Sequence, residues 1–305
     1  MHNLQHCVVS VGFVLATTVA TAQSPQSIRL TRPVAVGHSF RLVATGSTDI
    51  VTTMVTDGRA GRADTVKLSA NFDAVGHVIK VDDAGRPIGI AYAITECTMK
   101  QHGYTSTIIP RGATLIARQG GTKTRFFVKK KRFTALERQA LETVAGIDVY
   151  LLTKDDMFGT QHPRNVGERW PISSEAVAME FQRYTPQEVE PDNITGSTTL
   201  VQLIDFQGQP CQVLQTEFHS IGALPGFEEM PRGTRLKTAD IKATVYELLP
   251  VDMQLPRSAD KIRVEMDIVF AGMMAGKSVQ GRAKGVIQSE HTYSAITGAQ
   301  AAVEP

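Results

Sequence analysis

The sequence of 305 residues has few of the features that most often reveal a function. It has three Cys, one Trp and 6% aromatic residues, and its 30 acidic and 32 basic residues nearly balance. An even charge balance gives no support to nucleic acid as a partner. The one short basic run, Lys129–Arg132, fits a solvated strand end better than a polyanion site. The composition is that of a globular protein, and the length favours two domains.

Motifs for catalysis, metals and phosphate are missing or incomplete. The His residues beyond residue 22 have no metal-ligand spacing. The segment Gly272–Ser278 resembles a P-loop, but it is one residue short and follows an alternating strand, so we interpret it as a turn between strands. We therefore predict no catalytic residue, no metal and no cofactor. An enzyme whose groups converge from distant strands is the least favoured hypothesis.

The only long apolar stretch lies at the N-terminus. Val8–Ala20 is too short to span a bilayer as a helix, and Ala20-Thr21-Ala22 has the small-x-small pattern of a signal-peptidase site. We predict a signal peptide over residues 1–22, cleavage before Gln23, and export to the periplasm or the medium. The alternative is a permanently anchored N-terminal helix. After cleavage, Cys97 and Cys211 remain, either as one disulfide or as two buried thiols.

Alternating apolar and polar residues predict antiparallel strands. The clearest case runs from 261 to 270, where charged residues alternate with Ile262, Val264, Met266, Ile268 and Phe270. A period of two places one set of side chains on each face of a sheet. We expect one buried and one solvated face. Residues 66–72 and 88–95 alternate in the same way.

One helix is predicted, over residues 134–145. Thr134 and Glu137 form a capping box, in which the threonine hydroxyl accepts from a helix amide and the glutamate reaches back. Gly146 ends the helix. Helical spacing is shown by Leu136, Ala140, Leu141 and Val144. We expect this apolar stripe to lie on a sheet or to close the open end of one.

Three short motifs occur twice in the same order. They are Val-Gly-x-x-aromatic at 36–40 and 166–170, Asp-x-x-Gly-x-Pro at 82–87 and 205–210, and Pro-Arg-Gly at 110–112 and 231–233. The similar offsets indicate duplicated domains, since solenoid repeats have shorter periods. We predict a mainly β protein with one short helix, built from two tandem, related antiparallel half-barrel or open-barrel domains at 23–160 and 161–305.

The predicted boundary lies near Asp155–Thr160, where alternation stops and Gly and Pro appear. From Asp155 to Trp170, an acidic pair, Phe-Gly-Thr and Val-Gly-x-x-Trp occur in this order. This segment resembles one found in uncharacterised exported bacterial β-rich proteins of unknown function. The resemblance implies an exported, β-rich protein, and it implies neither an activity nor a site residue.

Two loops in equivalent positions are the candidate binding segments. They run from Lys100 to Arg111 and from Ser220 to Arg232. Loops longer than about 12 residues without structure of their own are often lids or binding loops. The candidate ligand- or partner-binding residues are Tyr104, Ile108, Ile109, Arg111, Leu224, Phe227, Met230 and Arg232. The alternative is that the apolar residues cap their own sheet and the arginines are solvated turn residues.

The leading hypothesis for function is a non-enzymatic binding module for an apolar or amphiphilic ligand, such as a lipid. Its predicted architecture is similar to that of periplasmic lipoprotein carriers. The alternative is a structural or interaction module of the cell envelope, which would present its apolar loops to an envelope protein. Neither hypothesis involves nucleic acid or, after signal cleavage, a transmembrane anchor.

Overall fold

The computed structural model describes residues 24–61, 63–148, 150–184, 188–222 and 233–296. Thirteen strands form one antiparallel sheet, which confirms the prediction of a mainly β, antiparallel protein. The strands are β1 (Ser39–Thr56), β2 (Arg59–Ala60), β3 (Asp64–Val81), β4 (Pro87–Gln101), β5 (Tyr104–Thr107), β6 (Thr114–Gln119), β7 (Thr124–Phe127), β8 (Arg169–Pro171), β9 (Ile194–Phe206), β10 (Gln209–Ile221), β11 (Thr234–Pro250), β12 (Ala259–Met274) and β13 (Lys277–Ala295).

Three α-helices accompany the sheet in the described residues, where the sequence predicts one. They are α1 (Ala135–Ala145), α2 (Lys154–Phe158) and α3 (Ser174–Gln182), and a 3₁₀ turn spans Pro191–Asn193. The two helices that were not predicted begin at the capping residues Thr153 and Ser173. They are too short to display a clear apolar period. None of the helices in the described ranges has the length and apolar content needed to cross a bilayer.

The sheet is continuous across both predicted halves. The strand order is β7-β6-β4-β3-β1-β13-β12-β11-β10-β9-β8, with β2 paired to β1 and β5 paired to β4. The halves meet where β1 pairs with β13, from Phe40 opposite Ala295 to Thr56 opposite Val279. The first long strand, β1, and the last strand within the described residues, β13, therefore lie side by side in the middle of the sheet.

One face of the sheet carries most of the core, as the alternation predicted. In β3, Leu68, Ala70 and Phe72 are buried, and the residues between them are exposed. On the other face, Arg41 of β1 pairs with Asp73 of β3 at 2.8 Å. The strand predicted at 261–270 shows the same pattern within β12.

Helix α1 lies on the buried face, as predicted. Its capping box is present, with Thr134 accepting from the Glu137 amide at 3.2 Å and Glu137 accepting from the Thr134 amide at 2.8 Å. Leu141 and Val144 are fully buried. Gly46 of β1 permits this close packing, because a side chain there would collide with Thr143 of the helix.

The paired sequence motifs have related local structures. Gly37 and Gly167 have φ values of 91° and 88°, in the left-handed region that favours glycine. Each donates its amide to a neighbouring strand, Gly37 to Val78 O at 2.9 Å and Gly167 to Leu200 O at 2.7 Å. The two Asp-x-x-Gly-x-Pro motifs connect β3 to β4 and β9 to β10. In the third motif, Pro231 and Arg232 lie outside the described residues.

Two further segments can be compared with the sequence predictions. The segment Gly272–Ser278 is the predicted turn, since Ala275 and Gly276 join β12 to β13 in left-handed conformations. The segment from Lys100 to Arg111, predicted as an irregular loop, is instead mostly a hairpin. It turns at His102-Gly103, and the Thr-rich β5 pairs back on β4, which satisfies backbone groups that a loop would leave to water.

Candidate functional site

A cavity of about 180 Å³ opens on the buried face of the sheet. Its walls come from the N-terminal segment 30–38, from strands β1, β3, β4, β12 and β13, and from the connection between α1 and α2. Both predicted halves contribute to it. The cavity therefore depends on the junction of β1 with β13.

Aromatic rings form the apolar part of the cavity. The Phe40 ring lies 6.4 Å from that of Tyr92 at an interplanar angle of 88°, and 5.7 Å from that of Tyr293. These geometries are the edge-to-face and tilted arrangements that aromatic pairs prefer. Gly76, opposite Phe40 in the sheet, leaves room for the ring, since a Cβ there would be 2.6 Å from Phe40 Cζ.

A row of three ionisable residues crosses the sheet beside these rings. Glu247 of β11 lies opposite Asp260 of β12, and Asp260 lies opposite His291 of β13. Glu247 and Asp260 are each only 4% exposed. Carboxylates this deeply buried require compensating charges and hydrogen bonds.

Lys154 and Arg257 supply the compensating charges. Lys154 Nζ of α2 lies 2.9 Å from Glu247 Oε1 and 3.4 Å from Asp148 Oδ2. Arg257 lies 3.0 Å from Asp260, 3.3 Å from Asp148 and 3.4 Å from Glu247. Its guanidinium also lies over the Tyr293 ring, at 5.4 Å from the centroid. Asp148 is at the opening, with its side chain 44% exposed.

His291 links this row to α1. Its Nδ1 lies 2.8 Å from Asp260 Oδ1, and its Nε2 lies 3.2 Å from the Thr143 carbonyl. Carbonyl and carboxylate oxygens both only accept, so a ring nitrogen of His291 completes either contact as a donor. The cluster therefore pairs three acidic residues (Asp148, Glu247 and Asp260) with Lys154, Arg257 and the imidazole of His291.

The pKa values follow from this pairing. Burial alone would raise the pKa of Asp260, but the charge of Arg257 and the hydrogen bond from His291 outweigh it and hold the pKa well below its usual value. Burial and the nearby charge of Arg257 each lower the pKa of Lys154, but the carboxylates of Asp148 and Glu247 outweigh them, so the pKa is raised. Burial raises the pKa of the Tyr150 and Tyr293 phenols, so both stay neutral. The arrangement can bind a molecule that offers an apolar part to the rings and a polar part to the cluster.

The N-terminal segment is fixed over the cavity by two charged side chains. Asp155 accepts the amides of Leu30 at 2.7 Å and Thr31 at 2.9 Å. Buried Arg32 donates to the carbonyls of Asp252 at 3.0 Å and Pro250 at 2.9 Å. The segment thus closes one side of the cavity.

The junction segment Asp155–Trp170 has a structural role around this closure. Asp156 belongs to the capping box of α2. The Phe158 carbonyl accepts from Trp170 Nε1 at 2.9 Å and from Thr198 Oγ1 at 3.0 Å. The residues of this segment therefore hold the connection between the helices and strands against the sheet.

Of the binding residues predicted from the sequence, the four in the first segment do not line this cavity. Ile108 and Ile109 are buried in the core of the first half, and Tyr104 and Arg111 are exposed. The other four, Leu224, Phe227, Met230 and Arg232, lie outside the described residues. Cys97 and Cys211 are both free, buried thiols, so the disulfide that the sequence left open is absent.

Sequence reasoning missed the charge cluster, although part of its signal was present. Asp260 continues the buried set of β12, and His291 shares the buried register of Tyr293 in β13. An ionisable residue in a buried register needs a partner. The partners could not be read from the pattern, since Lys154 is 93 residues from Glu247.

Comparisons with known proteins add no function. No protein-family model and no curated protein matches the sequence. Among solved structures, a porin mutant of Rh. blastica is 10% identical, with 83% of this chain and 99% of that chain covered and a TM-score of 0.17. A loop-deletion mutant of OmpT, an outer membrane protein of Vibrio cholerae, is 8% identical, with 85% and 100% covered and a TM-score of 0.16. TM-scores this low are not evidence of a shared fold or function. Within the described residues, no group of His, Cys, Asp and Glu could hold a metal ion.

Proposed function

We propose that the protein is an exported, non-enzymatic binding protein for a small amphiphilic ligand. The observation that carries the proposal is the cavity of about 180 Å³, with aromatic rings on one side and a paired charge cluster on the other. Sites of this kind hold a ligand by apolar burial and orient it by a few polar groups.

The cavity limits the size of the buried part of the ligand. It is comparable with an engineered cavity of about 150 Å³ in another protein, which binds benzene. A single ring or a short alkyl chain would fill it. A longer chain would extend past the opening, where Asp148 is exposed.

The pairing within the cluster favours an uncharged polar group on the ligand. Asp148, Glu247 and Asp260 are already paired with Lys154, Arg257 and His291. A net charge added beside them would be buried without a partner, which is costly. A hydroxyl or an amide could instead exchange hydrogen bonds with Lys154, Arg257 or Asp260.

We also propose that the two halves of the chain are related to each other. This relationship is supported by the matching hydrogen bonds of Gly37 and Gly167 and by the equivalent places of the two Asp-containing turns. The export part of the proposal rests on the predicted signal peptide. N-terminal sequencing of the mature protein should begin at Gln23.

Thermal unfolding with small amphiphiles tests the binding function. Hexanol and benzyl alcohol should raise the melting temperature, and a ligand at 100 times its Kd adds about 2.7 kcal/mol, which corresponds to roughly 4–5 °C for a chain of this size. Val34→Phe, in the cavity wall, should remove most of the shift because the added ring fills the space. Val36→Phe is the control, since Val36 is 60% exposed and outside the cavity.

The proposal fails under one combination of results. If neither alcohol shifts the melting temperature, and native mass spectrometry of the protein taken from cells shows no bound small molecule, the cavity is not a binding site.

A further inference from the structure

The basic residues of the chain are concentrated in one segment. From Cys97 to Leu136 there are nine Lys and Arg residues and no Asp or Glu. Because the whole chain has 32 basic and 30 acidic residues, the rest of it is net negative. The segment contains β5, β6 and β7, which lie at one end of the strand order. A strong positive field is therefore confined to one edge of the sheet.

The hairpin of β6 and β7 places like charges in directly opposite positions. Arg118 lies directly opposite Arg125, and both side chains are exposed. Like charges in directly opposite positions destabilise a hairpin. Neither arginine pairs with an acid in the part of the chain that the structure describes. The pair therefore does not serve the stability of the hairpin. It is explained if the two arginines bind an anion outside the protein.

Exposed aromatic rings accompany the charges. Phe127 is 50% exposed and lies two residues from Arg125, so both occupy the solvent face of β7. Tyr104, at the start of β5, is 81% exposed. Basic residues next to exposed aromatic residues are typical of surfaces that contact the interface of a membrane.

The turn after β7 extends the same surface. Lys129, Lys130 and Arg132 are exposed and have no ion pair among the described residues, whereas Lys131 is paired with Glu137 at 2.8 Å. We call the exposed set the basic edge; it consists of Arg118, Arg125, Phe127, Lys129, Lys130 and Arg132.

We infer that the basic edge docks on a membrane surface that contains anionic phospholipid. Its charges and its ring follow a strand at the rim of the sheet, which suits a plane of head groups rather than one small anion. Each Lys or Arg near such a surface adds to the attraction, and salt weakens it. The inference is independent of the cavity and its ligand.

Vesicle sedimentation tests the inference. The protein should bind vesicles with about one third phosphatidylglycerol, should not bind pure phosphatidylcholine, and should be released by salt. The triple variant Lys129→Gln, Lys130→Gln and Arg132→Gln should lower the partition coefficient on the order of 100-fold. The control triple Lys67→Gln, Lys261→Gln and Lys284→Gln removes the same charge from other strands and should bind as the parent does.

Further measurements separate a lipid surface from other anions. Phe127→Ser should weaken vesicle binding severalfold and leave its salt dependence unchanged, and inorganic phosphate at millimolar concentration should not compete. Equal loss in both triple variants would overturn the inference, because net charge alone would then be responsible. If the protein bound an oligonucleotide as tightly as vesicles, and Phe127→Ser did not change that binding, the inference would be overturned. The ligand would then be a soluble polyanion. The inference would also be overturned if the protein did not bind vesicles and the basic-edge variant aggregated. In that case the basic residues would serve only to protect the edge of the sheet from pairing with other chains.

Discussion

Asp260 has the most demanding position of the buried acids, since it sits between Arg257 and His291 and is 4% exposed. Its ionised form is held by these two partners, which is why its pKa lies well below the usual value. A carboxylate with a lowered pKa in the folded state stabilises the fold above its unfolded pKa, which is about 4. That contribution is lost as the pH falls towards the folded value.

Asp260→Asn should therefore have a pH-dependent cost. At pH 7 the loss of a buried ion pair should lower the free energy of unfolding by about 3 kcal/mol. The difference from the parent should shrink as the pH falls below about 4, because the unfolded parent then gains a proton at this residue that the variant cannot bind. Denaturant unfolding at pH 7, 5 and 3 measures both quantities.

The control for this experiment is Asp240→Asn. Asp240 is 54% exposed and pairs with His219 at the surface, so its removal should cost less than about 1 kcal/mol. A constant difference between Asp260→Asn and the parent at all three pH values would show that the charge of Asp260 does not stabilise the fold.

At the scale of elements, the sheet uses one packing device twice. Phe40 of β1 lies opposite Gly76 of β3, and Phe270 of β12 lies opposite Gly281 of β13. In both pairs a side chain on the glycine would collide with the ring. The glycines therefore let a large ring lie flat on the neighbouring strand, and they couple adjacent strands through packing.

Gly281→Ala tests this coupling. The added methyl should displace the Phe270 ring and lower the free energy of unfolding by about 1–3 kcal/mol. In a Phe270→Leu background the same substitution should cost at least about 1 kcal/mol less, since the obstructing ring is gone. Unfolding of the parent, both single variants and the double variant gives the coupling directly. Additive costs would contradict the packing explanation.

The local sequence patterns predict the individual strands and helices better than they predict which elements pack against one another. The alternation in β12 and the capping box of α1 are encoded within about ten residues, and both are present. Helices α2 and α3 escaped prediction because each has too few turns for a period. The sequence predicts a loop where β4 and β5 form a hairpin, because His102-Gly103 is not among the commonest two-residue turn sequences, although both residues adopt the left-handed conformations of such a turn. The cavity could not be predicted, because it is assembled from segments of both halves.

At the scale of the whole molecule, the pairing of β1 with β13 should make the two halves unfold together. Leu141→Ala in α1 removes a fully buried side chain from the first half and should cost about 2–5 kcal/mol. The single Trp170 lies in the second half and is 2% exposed, so its fluorescence reports on that half. We expect the fluorescence and circular dichroism midpoints to fall by the same amount.

A contrasting result would identify independent domains. If Leu141→Ala lowers the midpoint seen by circular dichroism and leaves the Trp170 midpoint unchanged, the halves unfold separately. The control Lys67→Ala, at an exposed position of β3, should move neither midpoint.

The side-by-side position of the first and last long strands also dictates when the protein can finish folding. As the ribosome synthesises the chain, β1 emerges early and then waits for more than 200 residues until β13 appears. During that interval one edge of β1 remains open to strands of other chains, which is a route to aggregation. We therefore expect a nascent chain of this protein to be prone to aggregation until β13 has been made, and a chain that stops before residue 279 could not close the middle of its sheet.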